Sequence, residues 1–183
     1  RTLSRFSSRS ICSGSSFLPA RDRALLLFLL DTGARAGEIR ALNLSDVDLM
    51  AGSVLIRQGK GRKPRTVFMG QKTRRAIRAY LKTRQDDDSP ALWVTERGER
   101  ISYKGLNAIL TRRAGLAGVE KPGLHDFRRA FALNFLRNNP GEIYSLQKLM
   151  GHADLQVLRR YLAQTDQDIQ AAHRRGSPVD NGL

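Results

Sequence analysis

The chain has 183 residues, with 32 Lys plus Arg against 17 Asp plus Glu and a formal charge of +15. That length suits one domain with a sizeable core, or a domain plus tails. The charge points to a polyanionic partner, nucleic acid first, because lysine and arginine contacts to phosphate release counterions. One cysteine, Cys12, excludes an internal disulfide framework, and no apolar run approaches the roughly 20 residues of a membrane span.

No basic amphipathic helix stands out for an acidic membrane surface, so the expected setting is cytoplasmic and DNA-associated. The chain starts at Arg1 and not at Met, which is expected of a fragment or a processed product. Residues 1–17 are rich in Ser and Arg, and no acidic residue precedes Asp22. Such a stretch buries little apolar surface and is expected to be a flexible linker or an appended segment. A transit peptide has a similar composition but is the lesser expectation.

The globular domain is expected over residues 18–175. Pro19 can open a helix, and Arg21 to Asp31 carries an apolar face through Ala24, Leu25, Leu27, Phe28 and Leu29. Thr32-Gly33 breaks that helix, Ala36 to Leu42 forms a short second one, and Asn43 to Asp48 is turn-like. Ser53 to Gln58 and Thr66 to Gly70 are β-branched runs around a basic, glycine-containing turn, which predicts a β-hairpin. Gln71 to Thr83 is amphipathic and helical. Asp86, Asp87 and Asp88 read as a solvated loop, not a cation site, since no histidine lies nearby. Ala91 to Thr95 is a candidate third strand. Helices are expected over Tyr103 to Ala117, His125 to Arg137 and Glu142 to Met150, with Gly151 as the last one's natural end. Asp154 to Leu162 and Gln164 to Arg175 complete the helices, and 176–183 is a loose tail. The fold class is therefore mainly α with a small antiparallel β-sheet.

The candidate chemistry lies in residues that are ordinary one by one. His125 and Arg128 stand at i and i+3 and so share a helix face, as they would on any basic surface helix. Gly151-His152 could be a capping glycine beside an incidental imidazole, and Tyr161 a packing residue. Arg35 with Glu38 reads as a helix-start charge pair, and Lys60 as a solvated turn lysine. Their order and spacing together are not ordinary.

On these residues the chain resembles the catalytic domain of the tyrosine recombinases, the phage integrase family, over roughly residues 18–170. Arg35 lies in DTGARAGEIRALNLSDVDL, which is similar to the box around that family's first arginine. Lys60 in GKGRKPRTVFM matches its hairpin lysine. His125 and Arg128 in LHDFRRAFA match its His-x-x-Arg, His152 in LQKLMGHADL matches its Gly-His, and Tyr161 falls at its nucleophile. The chain departs from the usual pattern at Arg129 and Ala130, where a polar residue and then Thr or Ser are common, and at Ala34, where Leu is common. The family's amino-terminal DNA-clamping domain has no counterpart in these residues.

The resemblance implies a DNA strand-breaking and rejoining enzyme with Arg35, Lys60, His125, Arg128, His152 and Tyr161 as catalytic residues. It implies double-stranded DNA as partner, a tetramer on paired sites for a full-length protein, and a monomer for this stretch alone. No cofactor or metal is implied, because two arginines take the part that metal ions play in other phosphoryl-transfer sites. Arg62, Lys63, Arg65 and Arg129 are expected DNA contacts. The alternatives are a non-catalytic DNA-binding regulator on the same fold and a type IB topoisomerase-like relaxation activity.

Overall fold

The computed structural model describes residues 17–57, 64–84 and 88–151, together with residues 170, 173, 174, 176, 177 and 179. Helix α1 (Phe17–Thr32) is its centre. Arg21, Asp22, Ala24, Leu25, Leu26, Phe28, Leu29 and Thr32 are all buried, so the helix is covered on more than one side, as a core helix is. It packs on α3 (Gln71–Thr83) and α5 (Leu124–Asn138); the short α2 (Ala36–Ala41) packs on α4 (Tyr103–Ala117). At the middle of the core Trp93 stacks on Tyr80 at 5.6 Å and meets Phe28 edge-on at 5.7 Å. The Tyr80 hydroxyl stays satisfied, donating to the Leu92 carbonyl at 3.0 Å and accepting from the Val94 N–H at 3.2 Å.

Asp22 fastens α1 to α4. Its carboxylate is fully buried and accepts from Arg21 Nη2 at 2.9 Å, from Arg113 Nε at 2.9 Å and from Arg112. A buried carboxylate persists only when paired in this way.

The sheet is antiparallel in the order β1 (Val47–Asp48), β2 (Ser53–Ile56), β3 (Arg65–Phe68), with Val54 opposite Val67. Val54, Ile56 and Val67 face the core, following the period of two. Two expectations need correcting here. The edge strand comes from Val47–Asp48, in the stretch read as turn-like. Ala91 to Thr95 is not a strand and makes only isolated bridges, Asn43 to Ala91 and Val94 to Arg100. Ala91, Leu92, Trp93 and Val94 are buried in succession, so their apolar run reflects enclosure in the core and not one face of a ladder.

The other elements fall within a few residues of their expected bounds. Helix α1 starts earlier than Arg21, with Pro19 in its first turn, where a missing N–H costs nothing. Helix α6 (Ile143–Met150) ends at Gly151 as read. Residues 1–16, the turn at 58–63, Asp86 and Asp87, the expected helix Asp154 to Leu162 and most of Gln164 to Arg175 lie outside the described residues. Among the described residues no helix is long and apolar enough to cross a membrane.

Candidate active site

The site begins where α1 ends. Gly33 sits at φ +59°, in the left-handed region that favours glycine, and a Cβ there would lie 2.3 Å from Cδ1 of Phe131. Backbone conformation and close approach therefore both require glycine. The turn presents the Gly33 carbonyl to Arg128 and leads straight into Arg35, the residue that caps the start of α2.

Helix α5 brings the second arginine. Asp126 accepts from the Gly123 N–H at 2.8 Å and so satisfies a donor left open at the helix start. His125 is exposed on that first turn, and Arg128, one turn on, is buried at 3% exposure. Its guanidinium reaches two backbone oxygens, donating from Nη1 to Gly33 at 2.5 Å and from Nη2 to Met150 at 2.7 Å.

Helix α6 supplies the meeting point. Leu146 and Met150 form a small second core with Ala132 and Leu136 of α5, flanked by Phe131 and Phe135. The helix stops at Gly151, φ +69°. Its last carbonyls lack helical partners and carry the negative end of the helix dipole, which favours cations. Arg65 Nε donates to the Leu149 carbonyl at 2.9 Å. The Met150 carbonyl takes Arg128 Nη2 and, at 3.4 Å, Arg35 Nη1. Two arginines remote in sequence thus converge on one oxygen, two residues before His152.

Glu38 holds this cluster of positive charge together. Its Oε1 accepts from Arg65 Nη1 at 2.7 Å and from Arg35 Nη1 at 3.2 Å, and its Oε2 from Arg65 Nη2 at 2.8 Å and the Arg35 N–H at 2.8 Å. The Arg65 contact is a two-pronged fork, the strongest geometry available to this pair. Burial alone would raise the Glu38 pKa. The Arg65 hydrogen bonds, the Arg35 N–H and both guanidinium charges outweigh it and bring the value down from 4.5 to about 2. A carboxylate whose folded pKa lies below its unfolded one contributes stability above the unfolded value, and that contribution disappears as pH falls through the folded value. Between pH 4.5 and about 2, therefore, urea unfolding should report a loss of stability that Glu38→Gln does not share. The same pH slope in both proteins would contradict this assignment.

Of the residues singled out from sequence, the fold brings Arg35 and Arg128 together and sets His125 on the same helix as Arg128. Lys60, His152 and Tyr161 lie outside the described residues, as do Arg62 and Lys63. Arg129 is partly exposed and stands 3.8 Å from Asp126. Arg65, read as a DNA contact, has a side chain 14% exposed and turned towards Glu38 and Leu149. Sequence reading missed Glu38 as the centre of the network, although its spacing from Arg35 carried the signal. It also missed the Gly33, Leu149 and Met150 carbonyls, which no side chain advertises.

Two convergent guanidinium groups, with one local carboxylate, leave net positive charge at a point held by backbone oxygens. Such a group of rigid donors can grip non-bridging phosphate oxygens and stabilise charge that develops there.

Comparison with known proteins agrees in sequence and in shape. The model of the Phage integrase family matches residues 6–168. The chain is 36% identical over 159 residues to the tyrosine recombinase XerC of Thermodesulfovibrio yellowstonii, covering 81% of this chain and 52% of that protein. The crystal structure of XerA recombinase superposes with a TM-score of 0.76 at 29% identity, covering 95% of this chain and 62% of that one. The XerH site-specific recombinase bound to difH substrate, in a pre-cleavage complex, gives 0.77 at 26% identity, covering 99% of this chain and 53% of that one. The chain spans about half the length of the curated relatives it matches. With a family match across most of its length and the same mainly helical architecture around a small sheet, the chain belongs to the phage integrase family.

Proposed function

We propose that this chain is the catalytic part of a site-specific DNA recombinase that cuts and rejoins strands through Tyr161. The single observation that carries the reading is the convergence of Arg35 and Arg128 on the Met150 carbonyl, two residues before His152. An exposed tyrosine has a pKa near 10 and is a poor nucleophile at neutral pH, and a cationic pocket corrects this by favouring the phenolate.

In this mechanism the Tyr161 hydroxyl attacks a DNA phosphorus and passes its proton to His125. Arg35 and Arg128 hold the non-bridging oxygens and His152 donates a further hydrogen bond. The bond from phosphorus to the 5′ oxygen breaks, and Lys60 protonates the departing oxygen. The product is a 3′-phosphotyrosyl link and a free 5′ hydroxyl. Because the phosphodiester energy is kept, a 5′ hydroxyl from another strand can reverse the step without ATP. With one nucleophilic tyrosine, Tyr161, per chain, exchanging both strands of two duplexes calls on four chains. Support for DNA as the partner comes from the charge of +15 and from the DNA complex of the XerH relative.

The test is a nicked suicide duplex, selected from a randomised-sequence library by adduct formation. Unaltered protein should give an SDS-resistant adduct, and Tyr161→Phe should give none. DNA binding without an adduct on any member would favour a non-catalytic regulator. Relaxation of supercoiled plasmid lacking a recombination site would favour a topoisomerase-like activity.

A further inference from the structure

We infer that Arg65 is a positioning residue of the active site, joining the two catalytic arginines, the approach to His152 and the hairpin through one guanidinium. The inference rests on the recombinase reading for its effect on rate. Three contacts carry it. The fork to Glu38 holds the carboxylate that in turn holds Arg35. The Nε bond to the Leu149 carbonyl ties down the last turn of α6, beside the Met150 carbonyl that receives Arg128. Arg65 also lies across Gly151: a Cβ there would be 3.3 Å from its Cδ and 3.4 Å from its Nε, so the residue before His152 rests on this side chain.

Arg65 opens β3, the strand that follows the Lys60 segment in the chain. Its backbone pairs with Ile56 of β2, so the hairpin and the guanidinium move as one body. A shift of the hairpin therefore reaches Glu38, Arg35 and Gly151 together. The arrangement parallels outer residues that orient metal ligands: they touch no substrate, but their loss lets the inner groups drift. The side chain is mostly enclosed and its donors face protein oxygens, which favours a positioning role over a contact to DNA.

The two roles separate by experiment. Arg65→Gln, Arg65→Lys and Glu38→Gln are compared with the unaltered chain on the selected suicide duplex. The readouts are single-turnover adduct formation, non-covalent DNA affinity across a salt series, and melting temperature. A positioning role predicts that Arg65→Gln slows adduct formation about 100-fold, the scale of a misplacement near 1 Å. Affinity should stay within about threefold and the salt slope should not change. Arg65→Lys keeps the charge but not the fork, and should recover part of the rate. Arg65→Gln and Glu38→Gln should be non-additive, since they break one contact.

A phosphate contact predicts the reverse, with affinity lost and the salt slope reduced by about one. That result overturns the proposal, as does an adduct rate for Arg65→Gln within threefold of unaltered protein. Amide exchange over residues 143–151 keeps the test independent of the chemistry. Arg65→Gln should speed exchange there at least about tenfold, because it frees the last turn of the helix. If unaltered protein forms no adduct but exchange rises, the recombinase reading fails and the positioning geometry stands. Unchanged exchange overturns the geometry itself.

Discussion

Arg35→Ala and Arg128→Ala should each lower adduct formation by about 1,000-fold or more, the scale set by loss of a preorganised cationic donor in phosphoryl transfer. The equality of the two effects is the informative part. Arg35 is half-buried at the cap of a short helix, whereas Arg128 is buried and bonded to two backbone carbonyls. On structural grounds alone Arg128 should matter far more. Both guanidinium groups nevertheless reach the same Met150 oxygen, and the proposed mechanism has both hold one phosphate. Melting curves separate fold from chemistry. Arg128→Ala should lower the melting temperature because Gly33 and Met150 lose a donor, and Arg35→Ala should change it less. Arg35→Ala protein that cleaves within tenfold of unaltered protein would show the two-arginine clamp to be wrong.

Asp22→Ala should be the most destabilising single change outside the site. It would leave Arg21, Arg112 and Arg113 gathered around an empty position, with Arg21 and Arg113 themselves buried. Removing one partner of a buried ionic cluster costs about 3–5 kcal/mol, because the remaining charge stays desolvated. In a chain of this size each kcal/mol moves the melting point by about 2–4 °C, so a fall of roughly 6–20 °C is expected. Arg112→Ala is the control. That side chain is 42% exposed, so its loss should cost far less. Equal losses for the two variants would mean that burial of Asp22 does not set the cost.

How much of this was legible in the sequence depends on the kind of signal. The breaking glycine at Gly33 and the stop at Gly151 were readable because a positive φ selects glycine. Helical periodicity located α3 to α6 well. Ala91 to Thr95 misled because four successive buried residues look like a strand in one dimension, whereas the fold uses them to enclose Trp93. Arg65 reads as a DNA contact because it sits beside basic turn residues, although its side chain is enclosed against Glu38 and Leu149. Its register held the clue: in β3 Val67 is buried while Thr66 and Phe68 are exposed, so Arg65 shares the inward side with Val67. The Met150 carbonyl could not be read at all. Every residue has one, and only the convergence of α1, α5 and α6 singles this one out.

The most direct measurement is the identity of the residue that becomes joined to DNA. The chain is incubated with the selected suicide duplex, digested with nuclease and protease, and sequenced by mass spectrometry. A nucleotide 3′-phosphate on Tyr161, absent from Arg35→Ala, Arg128→Ala and Tyr161→Phe proteins, is the predicted result. A phosphate linked to any other residue, or an adduct that persists in Tyr161→Phe, would contradict it.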